Sequence, residues 1–489
     1  MPPTRRKSPR SKVLFATPEC APLAKTGGLG DVSAALPAAL RALGHDVRVL
    51  LPGYPAVLDA DRGLHEMGEL TVCGMKVRLL ESRLPSGVPL IVADAPALYA
   101  RRGGPYQDES GADWKDNAMR FGVLSRVAAV VGSAGNPTRW QPEVVHCNDW
   151  PSALAPVYLR HEPGPHAATL LTIHNLAFQG VVSYEEAKPL ALPVESLGTG
   201  GVEFYGRVSF LKGGLMCCDA INTVSPTYAR EIQTPELGFG LDGVLRERAA
   251  RLHGILNGID MALWNPATDP WIAEKYAAKT LARKAANKRA LKKRLGLQGP
   301  DDVPLAATVS RLTQQKGIDI ILEAMEGIAA LPAQVIVAGA GERDLVEKLR
   351  AAQARHPRHL AVFIGFDEAL AHQVEAGADM FLMPSRFEPC GMNQMYSQRY
   401  GTPPVANRTG GLADTIEDDG AGHHAGATGF LLEELSAEGL LSGMRRAVDA
   451  FRDRARWKRL QVNGMAKDFG WESAARAYSR IYARIRSTS

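Results

Sequence analysis

Short apolar runs alternate with segments of helical period along most of this chain. Val13-Leu14-Phe15-Ala16-Thr17 is the first run; after a glycine-rich stretch, Leu29, Val32, Leu36, Ala39, Leu40 and Leu43 recur at helical spacing. That order predicts a strand, a loop and a helix. Val47–Leu51, Leu90–Ala93, Val144–Cys147, Thr169–Ile173 and Ala220–Val224 read as further strands, so a parallel sheet wrapped by helices is expected. The texture changes near Trp264-Asn265-Pro266. Lys284 to Arg294 then reads as a dense basic helix, and Gly299-Pro300-Asp301-Asp302 as a loop. A second alternating series follows: strands at Leu305–Val309, Val335–Ala338, Val362–Gly365 and Met380–Met383, with a helix from Ile318. Two serial doubly wound α/β units are expected, each taking ligands at the carboxyl ends of its strands. In the last segment, Trp471 to Ile485, the residues Ala475, Tyr478, Ile481, Tyr482 and Ile485 form one helical stripe.

Length and composition narrow the class. A chain of 489 residues predicts two or three domains, and 45% hydrophobic with 22% charged residues is ordinary for a globular protein. The net charge of +5 is mild, and part of it sits in Arg5, Arg6, Lys7, Arg10 and Lys12. This stretch reads as a disordered basic tail over residues 1–11. It is too short for a nucleic-acid arm and lacks the apolar centre of a secretory signal. No stretch approaches the roughly 20 apolar residues that span a bilayer. Six scattered cysteines without metal spacing read as reduced thiols of a cytoplasmic protein. Neither nucleic acid nor membrane is an expected partner. Gly339-Ala340-Gly341 is no dinucleotide fingerprint, because Asp344 stands where the third glycine belongs.

The residues that could carry chemistry cluster after strands. Lys25-Thr26-Gly27-Gly28-Leu29-Gly30-Asp31 opens a helix, where backbone N–H groups and the dipole favour an anion and Lys25 adds a positive charge. Arg311 and Lys316, after a strand, suit a leaving diphosphate, against the alternative of a solvated basic pair. Glu388, in Pro384-Ser385-Arg386-Phe387-Glu388-Pro389-Cys390-Gly391, is a carboxylate on a rigid turn able to hold sugar hydroxyls or a developing positive charge. Thr409-Gly410-Gly411 repeats the loop-to-helix device. His174 ends a strand, as a catalyst or a satisfied core residue. Asp149 and Trp150 offer hydroxyl binding and sugar stacking, or a helix cap with a core tryptophan. Asn257 lies in a tight turn, and Tyr106 in a Gly-Gly-Pro-Tyr loop.

Lys-Thr-Gly-Gly-Leu at 25–29, Phe-Glu-Pro-Cys-Gly at 387–391 and Arg-Thr-Gly-Gly-Leu at 408–412 occur in order, and with them the chain resembles the bacterial glycogen synthase and plant starch synthase family from Val13 to about Tyr482. The resemblance implies two Rossmann-like doubly wound domains facing across a deep cleft, the glycosyltransferase-B architecture. An acceptor-side domain is expected at 12–255 and a nucleotide-sugar domain at 256–468, with a helix at 469–489 crossing back to the first. It implies transfer of glucose from a nucleotide sugar, ADP-glucose by preference and UDP-glucose as runner-up, to the non-reducing end of an α-1,4-glucan. Configuration is retained, and neither metal nor other cofactor is needed. By resemblance, Glu388, His174, Lys316 and Arg311 are catalytic. Lys25, Gly28, Asp31, Asn257, Lys288, Phe366, Cys390, Gly391, Thr409, Gly410 and Gly411 face the donor, and Tyr106, Asp149 and Trp150 the acceptor. His174 offers both its backbone carbonyl and its ring. Two departures stand out: Phe366 replaces a hydroxylated aromatic near the nucleotide base, and Met392-Asn393 follows the glutamate turn where other members carry Leu-Thr or Leu-Asn. Tyr396 occupies the position of a second glutamate found in many retaining transferases of this fold, as the bacterial and plant synthase branch has it. The competing classes are a non-catalytic glucan- or nucleotide-binding regulator on the same scaffold and a sucrose- or trehalose-type synthase.

Overall fold

A computed structural model describes residues 10–59, 63–422 and 424–487. It divides into two compact units: the first runs to Gly258 and takes back the chain from Trp471, and the second is Ile259–Gly470. Of the expected tail, residues 1–9 lie outside the described residues. Ser11 corrects the remainder: it is buried, its N–H donates to His45 Nδ1 at 3.0 Å, and Arg486 Nη1 donates to its hydroxyl at 2.9 Å.

The first unit is built on β1 (Lys12–Ala16), β2 (Asp46–Pro52), β3 (His65–Val72), β4 (Met75–Arg83), β5 (Pro89–Asp94), β6 (Val144–Asn148), β7 (Ala168–Ile173), β8 (Val181–Val182), β9 (Glu203–Phe204), β10 (Arg207–Ser209), β11 (Ala220–Thr223) and β12 (Leu252–Gly254). Nine of them form one sheet in the order β12-β11-β7-β6-β1-β2-β5-β4-β3, and β8-β10-β9 form a small antiparallel one. The central strands are parallel and covered on both faces, so Val13, Leu14, Phe15 and Ala16 are all buried and the run is continuously apolar. The antiparallel β3–β4 pair escapes sequence reading because β3 is an edge strand, half exposed and polar at alternate positions. The helix Trp471–Arg486 packs on this unit with Ala475, Tyr478, Ile481, Tyr482 and Ile485 buried. Its polar groups are also placed: Tyr482 Oη lies 2.8 Å from His146 Nδ1, Ser479 Oγ 2.8 Å from His45 Nε2, and Asn222 Nδ2 donates to Tyr478 Oη at 2.7 Å.

The second unit carries β13 (Leu305–Val309), β14 (Gln334–Gly339), β15 (Leu360–Ile364), β16 (Met380–Met383), β17 (Pro404–Ala406) and β18 (Phe430–Leu431) in the order β15-β14-β13-β16-β17-β18, all parallel. This is the doubly wound order 3-2-1-4-5-6. β17 and β18 are too short to show a pattern in sequence. The basic helix Lys284–Arg294 has an inward face: Lys284, Lys288 and Lys292, four apart, are all buried. Lys284 Nζ donates to the last carbonyls of the helix Glu368–Gly377, Glu375 O at 3.0 Å and Ala376 O at 2.8 Å, and Lys292 Nζ to Gly299 O and Pro300 O at 2.9 Å each. Part of the charge of this dense basic helix thus ties loops and a helix end together. Among the described residues, no helix is long and apolar enough to cross a membrane.

Candidate active site

In the second sheet the strand order reverses between β13 and β16, the point at which such sheets take ligands beyond their carboxyl ends. The segments leaving those two strands meet there. Lys316 ends a 3-10 turn, Gln314–Lys316, after β13, and Glu388 lies in the turn after β16. Lys316 Nζ stands 2.5 Å from Glu388 Oε2, and Ser385 Oγ donates to the same oxygen at 3.1 Å. Only 7% of the Glu388 side chain and 18% of that of Lys316 is exposed, so each charge depends on the other for its solvation. Arg311 is exposed, with Nη2 3.4 Å from Gln315 Oε1. Arg386 forms the base of the turn, donating to Asp319 Oδ1 at 2.9 Å and Oδ2 at 2.6 Å.

Two glycines allow these loops to close on one another. Gly317 has φ +69°, and a Cβ there would lie 2.0 Å from Pro384 O; Gly410 has φ +44°, and a Cβ there would lie 1.9 Å from Glu388 O. The Gly411 N–H donates to Glu388 O at 3.1 Å. Thr409, Gly410 and Gly411, expected as an anion site, therefore abut the Glu388 turn, and the helix they open is only Gly410–Thr415. Cys390, buried, and Gly391 complete that turn.

The first sheet reverses between β1 and β6. Asp149 and Trp150 follow β6, and His174 follows β7. Asp149 takes φ +54° and ψ −175°, a conformation nearly confined to glycine. It forms no helix cap. Its Oδ1 accepts instead the backbone N–H of His174 at 2.7 Å and of Asn175 at 3.3 Å. Burial pushes its carboxyl up to about 7 against those two bonds, with the charge of Glu19 adding to the rise. Burial pulls His174 down to about 3, so its ring is neutral, and Nε2 lies 3.0 Å from Asn148 Oδ1. The Trp150 ring packs against Phe121 at 4.8 Å and Phe210 at 5.8 Å, with Tyr106 at 6.4 Å.

After β1, the helix Gly28–Ala42 opens as expected, but two of the loop's N–H groups are already engaged. Glu19 Oε2 accepts Thr26 N at 2.6 Å and Gly27 N at 3.0 Å, while Oε1 accepts Tyr106 Oη at 2.8 Å. Burial and that carboxylate push the Tyr106 phenol well above its ordinary range. Lys25 Nζ is held 2.8 Å from Asp31 Oδ1. The first-turn N–H groups of Gly28 and Leu29 have no intrahelical acceptor and are the donors this helix start offers an anion.

A family model described as the starch synthase catalytic domain matches residues 12–247, and one for group 1 glycosyl transferases matches 291–460. The chain is 54% identical to a glycogen synthase of Aromatoleum aromaticum over 99% of both chains, and 52% identical to one of Nitrosomonas eutropha over 98% of this chain and 97% of that one. This chain belongs to the glycogen synthase family. Its fold matches the catalytic domain of Arabidopsis thaliana starch synthase IV, solved bound to ADP and acarbose, with a TM-score of 0.88 at 32% identity over 98% of this chain and 100% of that one. A sucrose-phosphate synthase of Thermosynechococcus elongatus shares the fold alone, with a TM-score of 0.60 at 17% identity over 98% and 100% of the two chains. The two doubly wound units are thus those of a glycosyltransferase-B enzyme.

Within this glycogen synthase fold the other expected residues divide. Phe366 follows β15 at the carboxyl edge and is 82% exposed. Asn257 is buried near the end of the first unit, and its Oδ1 has no hydrogen-bond partner among the described residues. Lys288 is not brought to the carboxyl edge. Its Nζ binds Asp379 Oδ2 and Val303 O, both at 2.6 Å, ahead of β16 and β13 at the amino edge of the sheet. The inward face of its helix dictates this. Tyr396 lies flat on Trp264, centroids 3.8 Å apart, with His372 stacked on Trp264 at the same spacing. Sequence reading missed Glu19, Asn148 and Ser385. Glu19 and Ser385 are polar residues buried just after a strand and Asn148 is the last residue of one; their place at a strand end is the signal the chain carries, and their burial leaves none.

Proposed function

We propose that this chain elongates α-1,4-glucans, transferring glucose from ADP-glucose to the 4-hydroxyl of a non-reducing end with retention of configuration. The observation that carries the proposal is the buried Lys316–Glu388 pair at the switch point of the second sheet. Breaking a nucleotide-sugar bond leaves a diphosphate anion and positive charge at the anomeric carbon, and this pair offers one group of each sign. Lys316, with Arg311 as a planar fork, neutralises the diphosphate, and Glu388 binds the glucose. Phe366 and the segment through Cys390 and Gly391 serve the donor. Asp149, Trp150 and Tyr106 serve the acceptor. The acceptor oxygen forms its bond to the anomeric carbon on the face from which the diphosphate departs, and its proton passes to the departing phosphate oxygen. The named relatives are glycogen synthases, and the starch synthase IV structure holds ADP, which supports the adenine donor over UDP-glucose. None of the six cysteines forms a disulfide among the described residues, which suits the reducing cytoplasm.

The test is nucleotide diphosphate release from ADP-glucose and UDP-glucose, each with and without glycogen. Glycogen-dependent release of ADP is the expected result. Release from UDP-glucose alone overturns the donor assignment, and no glycogen-dependent release from either overturns the function.

A further inference from the structure

Asn148 ends β6 with no exposed surface, and its side chain is committed at both ends. Nδ2 donates to Ala16 O, at the end of β1, at 3.0 Å and approaches His146 O at 3.4 Å. Both are carbonyl oxygens and can only accept. Turning the amide over would set its oxygen against them, so Nδ2 faces the carbonyls and Oδ1 faces His174. The backbone around it is held as well: Ser152 Oγ accepts Asn148 N at 2.6 Å and donates to Asn148 O at 3.0 Å. An amide oxygen accepts only, so the ring nitrogen 3.0 Å from it, His174 Nε2, must carry a hydrogen. In a neutral imidazole the other nitrogen, Nδ1, is then a bare lone pair. Asp149 Oδ1 fixes the backbone of the same residue at 2.7 Å.

We infer that Asn148 is a positioning residue that holds His174 as its Nε2–H tautomer, so that Nδ1 meets the bound sugar as a hydrogen-bond acceptor for a hydroxyl. This deepens the proposed function and rests on it for the role of His174. Other titratable groups near the ring reinforce the neutral form or leave it unchanged. Asp149 spends its Oδ1 on backbone N–H groups, its carboxyl lifted by burial and by Glu19 from the loop after β1. His146, on β6, is itself buried and neutral, its ring nitrogens within 2.8 Å of Tyr482 Oη and 2.7 Å of Thr172 Oγ1. With Nδ1 as a donor the same hydroxyl would have to accept and turn its own hydrogen to another partner, so tautomer and charge both bear on how the sugar is held.

The experiment uses the full chain, with 15N NMR of labelled histidine and kcat measured from pH 5.5 to 9. In the wild type the His174 resonances should report Nε2–H and a neutral ring throughout. Asn148→Ser, which brings in no buried charge, should lose the single tautomer and lower kcat at least tenfold, equally at all pH values, with KM for glycogen within about threefold of wild type. An Nδ1–H tautomer in the wild type overturns the inference. So does Asn148→Ser with wild-type kcat and an unchanged tautomer. Absence of glycogen-dependent ADP release would instead strike the proposed function, while the NMR result still judges Asn148.

Discussion

Separating the Lys316–Glu388 pair should damage stability and turnover by different amounts on its two sides. At 2.5 Å and an effective dielectric constant of about 20, the Coulombic attraction is about 6–7 kcal/mol before desolvation is charged against it. Removing one partner of such a pair typically costs about 3–5 kcal/mol, because the other is left buried and uncompensated. The two sides are unequal here. Glu388 is the more deeply buried, so Lys316→Met strands the group that can least reach water, whereas after Glu388→Gln the ammonium is the group left over and the amide keeps the Ser385 bond. Urea unfolding at pH 7.5 should therefore show Lys316→Met losing about 3–5 kcal/mol and Glu388→Gln clearly less. The double variant should recover part of the Lys316→Met loss, since no buried charge remains. Initial rates of ADP release at saturating ADP-glucose and glycogen should fall about 10²–10³-fold in each single variant. Two variants that each turn over within threefold of wild type would refute the assignment of the site. Strictly additive losses in the double-variant cycle would refute the electrostatic account of the pair.

Three further outcomes follow from the same geometry. Asp149→Asn keeps an oxygen for the His174 and Asn175 N–H groups and removes a carboxyl raised to about 7. Because the folded pKa lies above the unfolded one, the wild-type penalty is absent below about pH 4 and complete above about pH 7. The variant should thus be more stable than wild type by about 4 kcal/mol at pH 8 in urea melts, the gain vanishing near pH 4, while glucan elongation is lost. Gly410→Ala would press a Cβ to within 1.9 Å of Glu388 O, so kcat should fall at least tenfold with a lower thermal midpoint; an unchanged kcat would mean that the Glu388 turn does not depend on this abutment. Lys288→Met strands Asp379 in a nearly buried pair and should cost about 3 kcal/mol of stability by urea unfolding, whereas KM for ADP-glucose in the folded variant stays within twofold of wild type; a tenfold rise would restore Lys288 to the donor site.

The chain alone determined the strands at the centre of both sheets, because a parallel strand covered on both faces must be apolar throughout and announces itself locally. It also placed the candidate residues, since Lys25, Asp149, His174, Arg311, Lys316 and Glu388 all stand in segments that follow such strands. Tertiary structure decided everything that depends on what a side chain meets. The antiparallel β3–β4 edge is wet on one side, so its apolar residues alternate with polar ones and form no continuous apolar run. Lys288 and Phe366 both stood as donor contacts in sequence; the inward turn of one helix sends Lys288 to the amino edge, while the end of β15 leaves Phe366 at the carboxyl edge. Lys25 and the Gly-rich loop read as open to an anion until Asp31 and Glu19 are found on them. Burial, which no local pattern reports, is what neutralises His174 and lifts Asp149, and the amide of Asn148, committed to Ala16 O from another strand, selects the nitrogen that carries the hydrogen. Spacing along the chain fixes which residues stand at the edge of a sheet; their charge and hydrogen-bonding sense follow from partners distant in sequence, which only the packed fold supplies.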